Sequence, residues 1–364
     1  MFRETDLQEL VAFEGHNSPV VSLYLNVDPR QRTTEEYKLA LRRLLEETAI
    51  PAADRQRIER FVELEYDRQA RGLVCFSCQE QDFWRAYAFQ VPVEDAIMVD
   101  RRPLVRRLVE MIDTYGHLGV VAVDRQGARF FSFHLGVLEE ATGMVGEEVR
   151  RHKQGGWAAP RYQRHEDETA LANLREAAEQ TERLARQYNW RRLVLAGTDA
   201  NVARFRELLP AALQQLVVGT MPLELNAGIQ EVRDRAEAVA LQARSSYILQ
   251  LASDLIVAAA KGDHAVLGLD PTVEAIQSGR VYHLLFSEGY EVPEGRIRRC
   301  DHCGYLGTGG EVACPLCGGA YRPLPDAINT LARRTLAQGA QVTVLPSENP
   351  LTAAGHPLGA FLRF

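Results

Sequence analysis

The most specific chemistry in this chain lies in four cysteines near its C-terminus. Cys300, Cys303, Cys314 and Cys317 form Cys-x-x-Cys, ten residues, then Cys-x-x-Cys. Each pair makes a tight knuckle that presents two thiolates to one side, and Gly304 and Gly318 follow where the chain must turn. Two knuckles close a tetrahedral four-thiolate site with no open position, which predicts a structural zinc ion. The loop from Tyr305 to Ala313 is too small and glycine-rich for a core of its own, so the metal would supply much of the local folding energy. A redox dithiol pair would need a βαβ setting that the flanking sequence lacks.

A second stretch has a different chemistry. Arg150 to His165 holds five Lys or Arg (Arg150, Arg151, Lys153, Arg161, Arg164) and two His, with no acidic residue before Glu166. The chain carries a formal charge of -7, so this basic segment stands against its background. Gly155 and Gly156 at its centre permit close approach of the backbone to another molecule. Pro160 keeps a helix from starting before it. Cationic side chains around a bare tip suit a phosphate-rich partner; a solvated loop with a Gly-Gly turn is the competing reading.

These segments sit in a chain of 364 residues, enough for two or three domains. It is 46% hydrophobic and 25% charged, a globular composition that argues against disorder. No apolar run is long enough to span a bilayer, and the charged N-terminus lacks the apolar core of a secretory signal. Cysteines grouped as Cys-x-x-Cys pairs fit reduced thiols, so a cytoplasmic location is expected. The third pair, Cys75 and Cys78, falls on a strand and reads as core packing.

The periodicities predict strands at Val20–Val27, Gly72–Ser77 and Trp84–Val91, with helices starting at Thr33-Thr34-Glu35-Glu36, from Asp54 to Ala70 and from Arg102 to Ile112. Further strands are expected at Leu118–Asp124, Ala128–Leu135 and Arg192–Gly197, with helices at Asp167–Tyr188, Asn201–Leu209 and Ala211–Leu216. From Ile229 the helical pattern runs to Ala260, either continuous or with one break. A short helix at Asp270, strands at Val281–Ser287 and Gln341–Leu345, a helix at Leu324–Gln338 and a last strand at Gly359–Arg363 follow. The fold class is α/β, with mixed α+β character, in three domains: 1–113, 114–228 and 229–364, the last carrying the knuckles within 296–322.

The parts together resemble the archaeal and eukaryotic class-1 peptide chain release factors, and most closely the bacterial archaeo-eukaryotic release factor family, family 10. Ser22-Leu23-Tyr24-Leu25 is similar to the first strand of the family's N-terminal domain. Gly155-Gly156-Trp157 with Arg161-Tyr162-Gln163-Arg164 is similar to its Gly-Gly-Gln loop and the basic helix start that follows. Gly279-Arg280-Val281, Leu284-Leu285-Phe286-Ser287-Glu288, the cysteine knuckles, Gly339-Ala340-Gln341-Val342 and Gly359-Ala360-Phe361-Leu362-Arg363-Phe364 are similar to its third domain. The resemblance implies an N-terminal α+β domain, a ribonuclease-H-like middle domain and an L7Ae-like C-terminal domain with a zinc-ribbon insertion.

It also implies the ribosome and tRNA as partners, with neither membrane nor DNA involved. In the family the Gly-Gly loop promotes hydrolysis of the peptidyl-tRNA ester. Here the family's glutamine position is Trp157, while Gln154 precedes the glycines. A backbone N–H donor at that position survives the exchange, and an indole there would stack on a base or pack against its own domain. Gly155, Gly156 and Trp157 are the expected catalytic tip, and the five cations its RNA anchors. No Asn-Ile-Lys-Ser or Tyr-x-Cys-x-x-x-Phe motif occurs in residues 1–113, so stop-codon reading is not expected. Three readings follow: a peptidyl-tRNA hydrolase in ribosome rescue or quality control, a non-catalytic ribosome or tRNA binder, and a nuclease with Asp124 as a metal ligand.

Overall fold

The computed structural model describes residues 2–364 apart from Asn17, 146–158, Glu311 and Pro325, and gives backbone alone for 144–145 and 159–166. The chain divides into two compact units. One joins Met1–Asp113 with Ser246–Phe364, and the other is Thr114–Ser245.

The first segment opens with helix α1 (Glu4–Ala12) and strand β1 (Val20–Asn26). Helix α2 (Thr34–Glu47) starts at a reciprocal cap. The Thr33 hydroxyl accepts the Glu36 N–H at 3.3 Å, and the Glu36 carboxylate accepts the Thr33 N–H at 2.7 Å. Helix α3 (Ala52–Arg60) closes through a π turn, Phe61–Glu65. The expected helix to Ala70 therefore stops at Glu65. The Tyr66 hydroxyl accepts the Ala70 N–H at 3.0 Å instead, and Arg68 takes a left-handed φ of 62°. Strands β2 (Gly72–Cys78), β3 (Phe83–Phe89) and β4 (Ala96–Asp100) follow, then α4 (Arg106–Tyr115). The antiparallel sheet runs β3-β2-β1-β4. One face of it, with Leu23, Leu25, Leu73 and Cys75, packs on Tyr37, Leu41, Leu45, Ile58 and Val62 of α2, α3 and the π turn.

The second unit begins with β5 (Leu118–Val123), β6 (Ala128–His134) and β7 (Val137–Val145). Helix α5 (Ala159–Gln187) starts eight residues before the expected Asp167. Pro160 lies in its first turn, where a missing N–H costs no hydrogen bond. Then come β8 (Arg192–Gly197), α6 (Asp199–Leu208), α7 (Ala211–Leu216), β9 (Val217–Met221) and the start of α8 (Ile229–Lys261), an unbroken 33-residue helix. The sheet order is β7-β6-β5-β8-β9, antiparallel on one side of β5 and parallel on the other. Strand alternation splits the core: Val121 and Val123 face α5, α6 and α7, whereas Val120 and Ala122 face Val232, Ala236 and Ala240 of α8. Helices thus cover both faces, as a sheet with a buried parallel part requires.

The C-terminal segment returns to the first unit with β10 (Ala265–Leu267), α9 (Leu269–Gln277), β11 (Val281–Ser287), β12 (Arg298–Cys300), β13 (Leu306–Gly307), β14 (Tyr321–Pro323), α10 (Ala327–Ala337), β15 (Gln341–Leu345), α11 (Pro350–Ala353) and β16 (Leu358–Leu362). Its main sheet runs β10-β16-β11-β15, with β11 and β15 parallel, and a small sheet runs β13-β12-β14. The architecture is mixed α/β, with four sheets among the described residues. Ile297 and Leu306 beside the cysteine knuckles are buried in the same core as Val273, Leu284 and Leu331, so the small sheet is seated on the larger one.

Buried polar contacts join the two segments of this unit. Arg333 of α10, 4% exposed, donates to the carbonyls of Leu10 at 2.9 Å, Phe13 at 3.0 Å and Val11. These are terminal carbonyls of α1 and its exit, which lack partners within the helix. Burial pushes the Arg333 guanidinium down to about 9.

Candidate functional site

Strand β12 delivers Cys300 at its end, between β13 and β14. Each knuckle closes with the same two backbone bonds. In the first, Gly304 N–H reaches Cys300 O at 3.0 Å and Cys300 N–H reaches Tyr305 O at 2.8 Å. In the second, Gly318 N–H reaches Cys314 O at 2.8 Å and Cys314 N–H reaches Gly319 O at 2.9 Å. Gly304 and Gly318 hold φ of 75° and 71°, left-handed values that glycine adopts without strain.

The four sulfurs converge, all within 4.8 Å of one another. Cys300 and Cys317 are 3.5 Å apart, as are Cys303 and Cys314. Thiolates bound tetrahedrally at the usual zinc distance stand about 3.8 Å apart, so the set fits that ion. A Cβ on Gly319 would lie 3.0 Å from the Cys300 sulfur and 3.3 Å from that of Cys317; only a bare backbone lets the second knuckle close over the thiolates. The Cys300 thiol is drawn down to about 6, chiefly by the backbone N–H of Cys303. The Cys314 thiol is also lowered: burial opposes this, and the N–H groups of Leu316 and Cys317 outweigh it. These N–H donors favour thiolate, the form a metal binds, at Cys300 and Cys314; at Cys317 the Gly319 N–H lowers the thiol, but burial and the other three sulfurs outweigh it and push it up to about 12.

Residues outside the motif brace the site. The Gln277 amide donates to Leu306 O at 3.0 Å and accepts its N–H at 2.7 Å. Arg334 of α10 donates to Gly304 O. Arg299, next to Cys300, pairs with Glu14 at 3.1 Å. Adjacency to Cys300 flags Arg299 in the sequence, whereas Glu14, Gln277 and Arg334 have no local signal.

The other expected site residues lie elsewhere. Arg150, Arg151, Lys153, Gly155, Gly156 and Trp157 fall outside the described residues, between β7 and α5. Arg161 and Arg164 occupy the first turns of α5, and their side chains are not described. Close by, the Arg125 guanidinium pairs with Asp167 of α5 at 2.6 Å, and the Asn173 amide reaches the carbonyls of Arg125 and Gln126, each at 3.3 Å. These contacts hold the β5–β6 turn against α5. Asp124 closes that turn, accepting the N–H groups of Gln126 at 2.6 Å and Gly127 at 3.1 Å. Cys75 and Cys78, three apart on β2, point to opposite faces. Both are buried, and burial pushes the Cys75 thiol up to about 12, the signature of packing.

With this geometry in place, residues 103–241 match the model of bacterial archaeo-eukaryotic release factor family 10. This confirms the resemblance to that family. The matched segment spans the glycine tip and its basic flanks. Among curated proteins, none matches the chain. Solved structures that align with it include an archaeal translation termination factor, at 19% identity over 99% of this chain and 96% of that one, TM-score 0.28. Pelota of Archaeoglobus fulgidus aligns at 12% identity over 99% and 92%, TM-score 0.35. The S. cerevisiae translation termination-like factor Dom34 aligns at 10% identity over 82% and 81%, TM-score 0.41. No helix among the described residues is long and apolar enough to cross a membrane.

Proposed function

We propose that the chain is a ribosome-directed, release-factor-like protein that acts on peptidyl-tRNA in ribosome rescue or translational quality control, and not in codon-specific termination. The observation that carries this reading is the family match over 103–241, a segment that includes Gly155, Gly156 and Trp157. The reaction is acyl transfer from the tRNA ester to water. It needs a positioned water and a donor for the charge that develops on the carbonyl oxygen. The backbone N–H at residue 157 supplies that donor whichever side chain stands there. Arg150, Arg151, Lys153, Arg161 and Arg164 bind RNA phosphates and set the register of the tip. The four cysteines hold a zinc ion that stabilises the C-terminal segment and takes no part in the chemistry.

A second reading, a binder without hydrolysis, is favoured by one observation: Trp157 stands where the family carries glutamine. The nuclease reading loses support, because among the described residues the four cysteines are the one group of side chains that could hold a metal, and Asp124 has no partner carboxylates.

Peptidyl-tRNA hydrolysis on stalled ribosomes, measured for wild type and Trp157→Gln, separates the first two readings. Hydrolysis by wild type that is kept or raised in Trp157→Gln supports the enzyme. If both proteins bind ribosomes and neither releases peptide, the binder stands. Neutralising Arg161 and Arg164 is expected to weaken binding and reduce its salt slope by about 0.7–0.9 per lost phosphate contact.

A further inference from the structure

Around the first knuckle the contacts close into a ring. Glu14, just past α1, places one carboxylate oxygen 3.1 Å from Arg299 and the other 2.6 Å from Arg102. Arg299 is bonded to Cys300, whose carbonyl accepts the N–H of Gly304. The Gly304 carbonyl in turn accepts from Arg334 of α10. The neighbouring Arg333 reaches back to the carbonyls of Leu10, Val11 and Phe13, where the ring began. Both Arg299 and Arg334 therefore meet the N-terminal segment or the knuckle through groups whose positions depend on how that knuckle is folded.

The ring is mostly buried and charged. The Glu14, Arg102 and Arg299 side chains are between 18% and 28% exposed. Burial raises the Glu14 carboxyl, and the two guanidiniums more than offset this to leave it below its ordinary value. Arg333 and Arg334 are both pushed down by burial, to about 9 and about 10. Partly buried charges of this kind are costly to leave unpaired, so losing one member loosens the rest. The ten-residue glycine-rich loop between the knuckles has a single apolar side chain in the core, Leu306, so the metal would supply much of the order of the rest.

We propose that the first knuckle is a metal-dependent clasp that holds the N-terminal segment against α10, so that zinc loading controls the order of residues 10–15 and 101–106. The clasp rests on the zinc reading of the four cysteines. Zinc bound at the thiolates fixes the Cys300–Gly304 turn. That turn sets Arg299 toward Glu14 and the Gly304 carbonyl toward Arg334. Loss of the metal frees the turn, and the Glu14 anchor and the α1 exit go with it. The Ser22 and Tyr24 side chains of β1 reach Leu104 in the second of these stretches, but the β1–β2 backbone ladder lies outside the ring and keeps its own bonds.

Hydrogen exchange on the full chain, zinc-loaded and then stripped by chelator under reducing conditions, tests this. The Gly15 N–H is bonded to Arg101 O at 2.7 Å and the Val105 N–H to Asn329 Oδ1 at 3.0 Å, so both report on the clasp. Stripping is expected to speed exchange at least tenfold in 10–15 and 101–106 and to leave Val20–Asn26 unchanged. Arg299→Ala, with zinc content confirmed by elemental analysis, is expected to raise exchange in the same two stretches, and Glu14→Gln to match it. These two variants decide the matter if stripping unfolds the whole unit. An Arg299→Ala protein that holds zinc and keeps full protection overturns the clasp alone. A wild-type protein with no bound metal overturns the zinc reading and the metal dependence with it.

Discussion

Asn329 accepts the backbone N–H of Val105 at 3.0 Å and donates to Pro103 O at 3.0 Å, across more than 220 residues of sequence. A single carboxamide on α10 thereby satisfies both a donor and an acceptor of the segment that enters α4. Asn329→Leu keeps the volume and removes both partners. It is expected to destabilise the first unit by about 1–3 kcal/mol, the cost of stranding buried backbone groups. Urea unfolding measures this as a lower midpoint. The exposed pair Arg43–Glu47 is the control: Arg43→Ala should leave the urea midpoint unchanged.

The cysteine cluster predicts one zinc per chain by elemental analysis of protein purified under reducing conditions. Cys303→Ala should bring the content well below one. A loss of at least about 2 kcal/mol would lower the melting point of the first unit by roughly 4–8 °C. An unchanged melting curve in metal-free protein would count against a structural ion.

His283 on β11 predicts a pH dependence. Its ring is buried and bonded to the Thr343 hydroxyl at 3.0 Å, and burial lowers its protonation below the ordinary value of 6.5, with Asp113 opposing. Protonation therefore costs more in the folded than in the unfolded chain. The first unit should hold full stability above about 6.5 and lose it as the pH falls below that value. His283→Gln keeps a partner for Thr343, and unfolding midpoints at pH 7.5 and 5.5 should then differ less than in wild type.

Stop and sense codons in the ribosomal A site should be treated alike. Residues 1–113 form a sheet covered by α2 and α3 and carry neither codon-reading motif. Binding or release assays on ribosomes programmed with each codon are expected to agree within tenfold, about 1.4 kcal/mol. A larger preference for stop codons would refute this.

What could be read from the sequence was whatever depends on neighbours in the chain. The cysteine spacing specified its own site, because four ligands within eighteen residues need no distant partner. Buried apolar runs located β8, β11 and β15 to the residue. Strand β7, Val-Leu-Glu-Glu-Ala-Thr-Gly-Met-Val, escaped notice because adjacent glutamates and a glycine break its alternation. Strand β4 is half-buried along its whole length; Ile97 and Val99 pack on the core, but Ala96 and Met98 between them are apolar too, so no alternation marks it. Helix α1 is nine residues long with a single fully buried side chain, Leu10, so its packing comes from α10 and not from its own stripe. Glu14, Asn329 and Arg333 reach partners between 88 and 323 positions away, and no local pattern encodes that.

The Arg333 contacts also bear on the order in which the protein is made. Phe13 and Arg333 are 320 residues apart. At bacterial or eukaryotic elongation rates of about 5–20 residues per second, α1 waits roughly 16–64 s for the guanidinium that satisfies its last carbonyls. Thr114–Ser245 is contiguous and leaves the exit tunnel complete well before then. The N-terminal segment must therefore stand alone during synthesis with the exit of α1 uncovered. A nascent chain cut short anywhere before α10 would retain an unfinished surface at its very first helix.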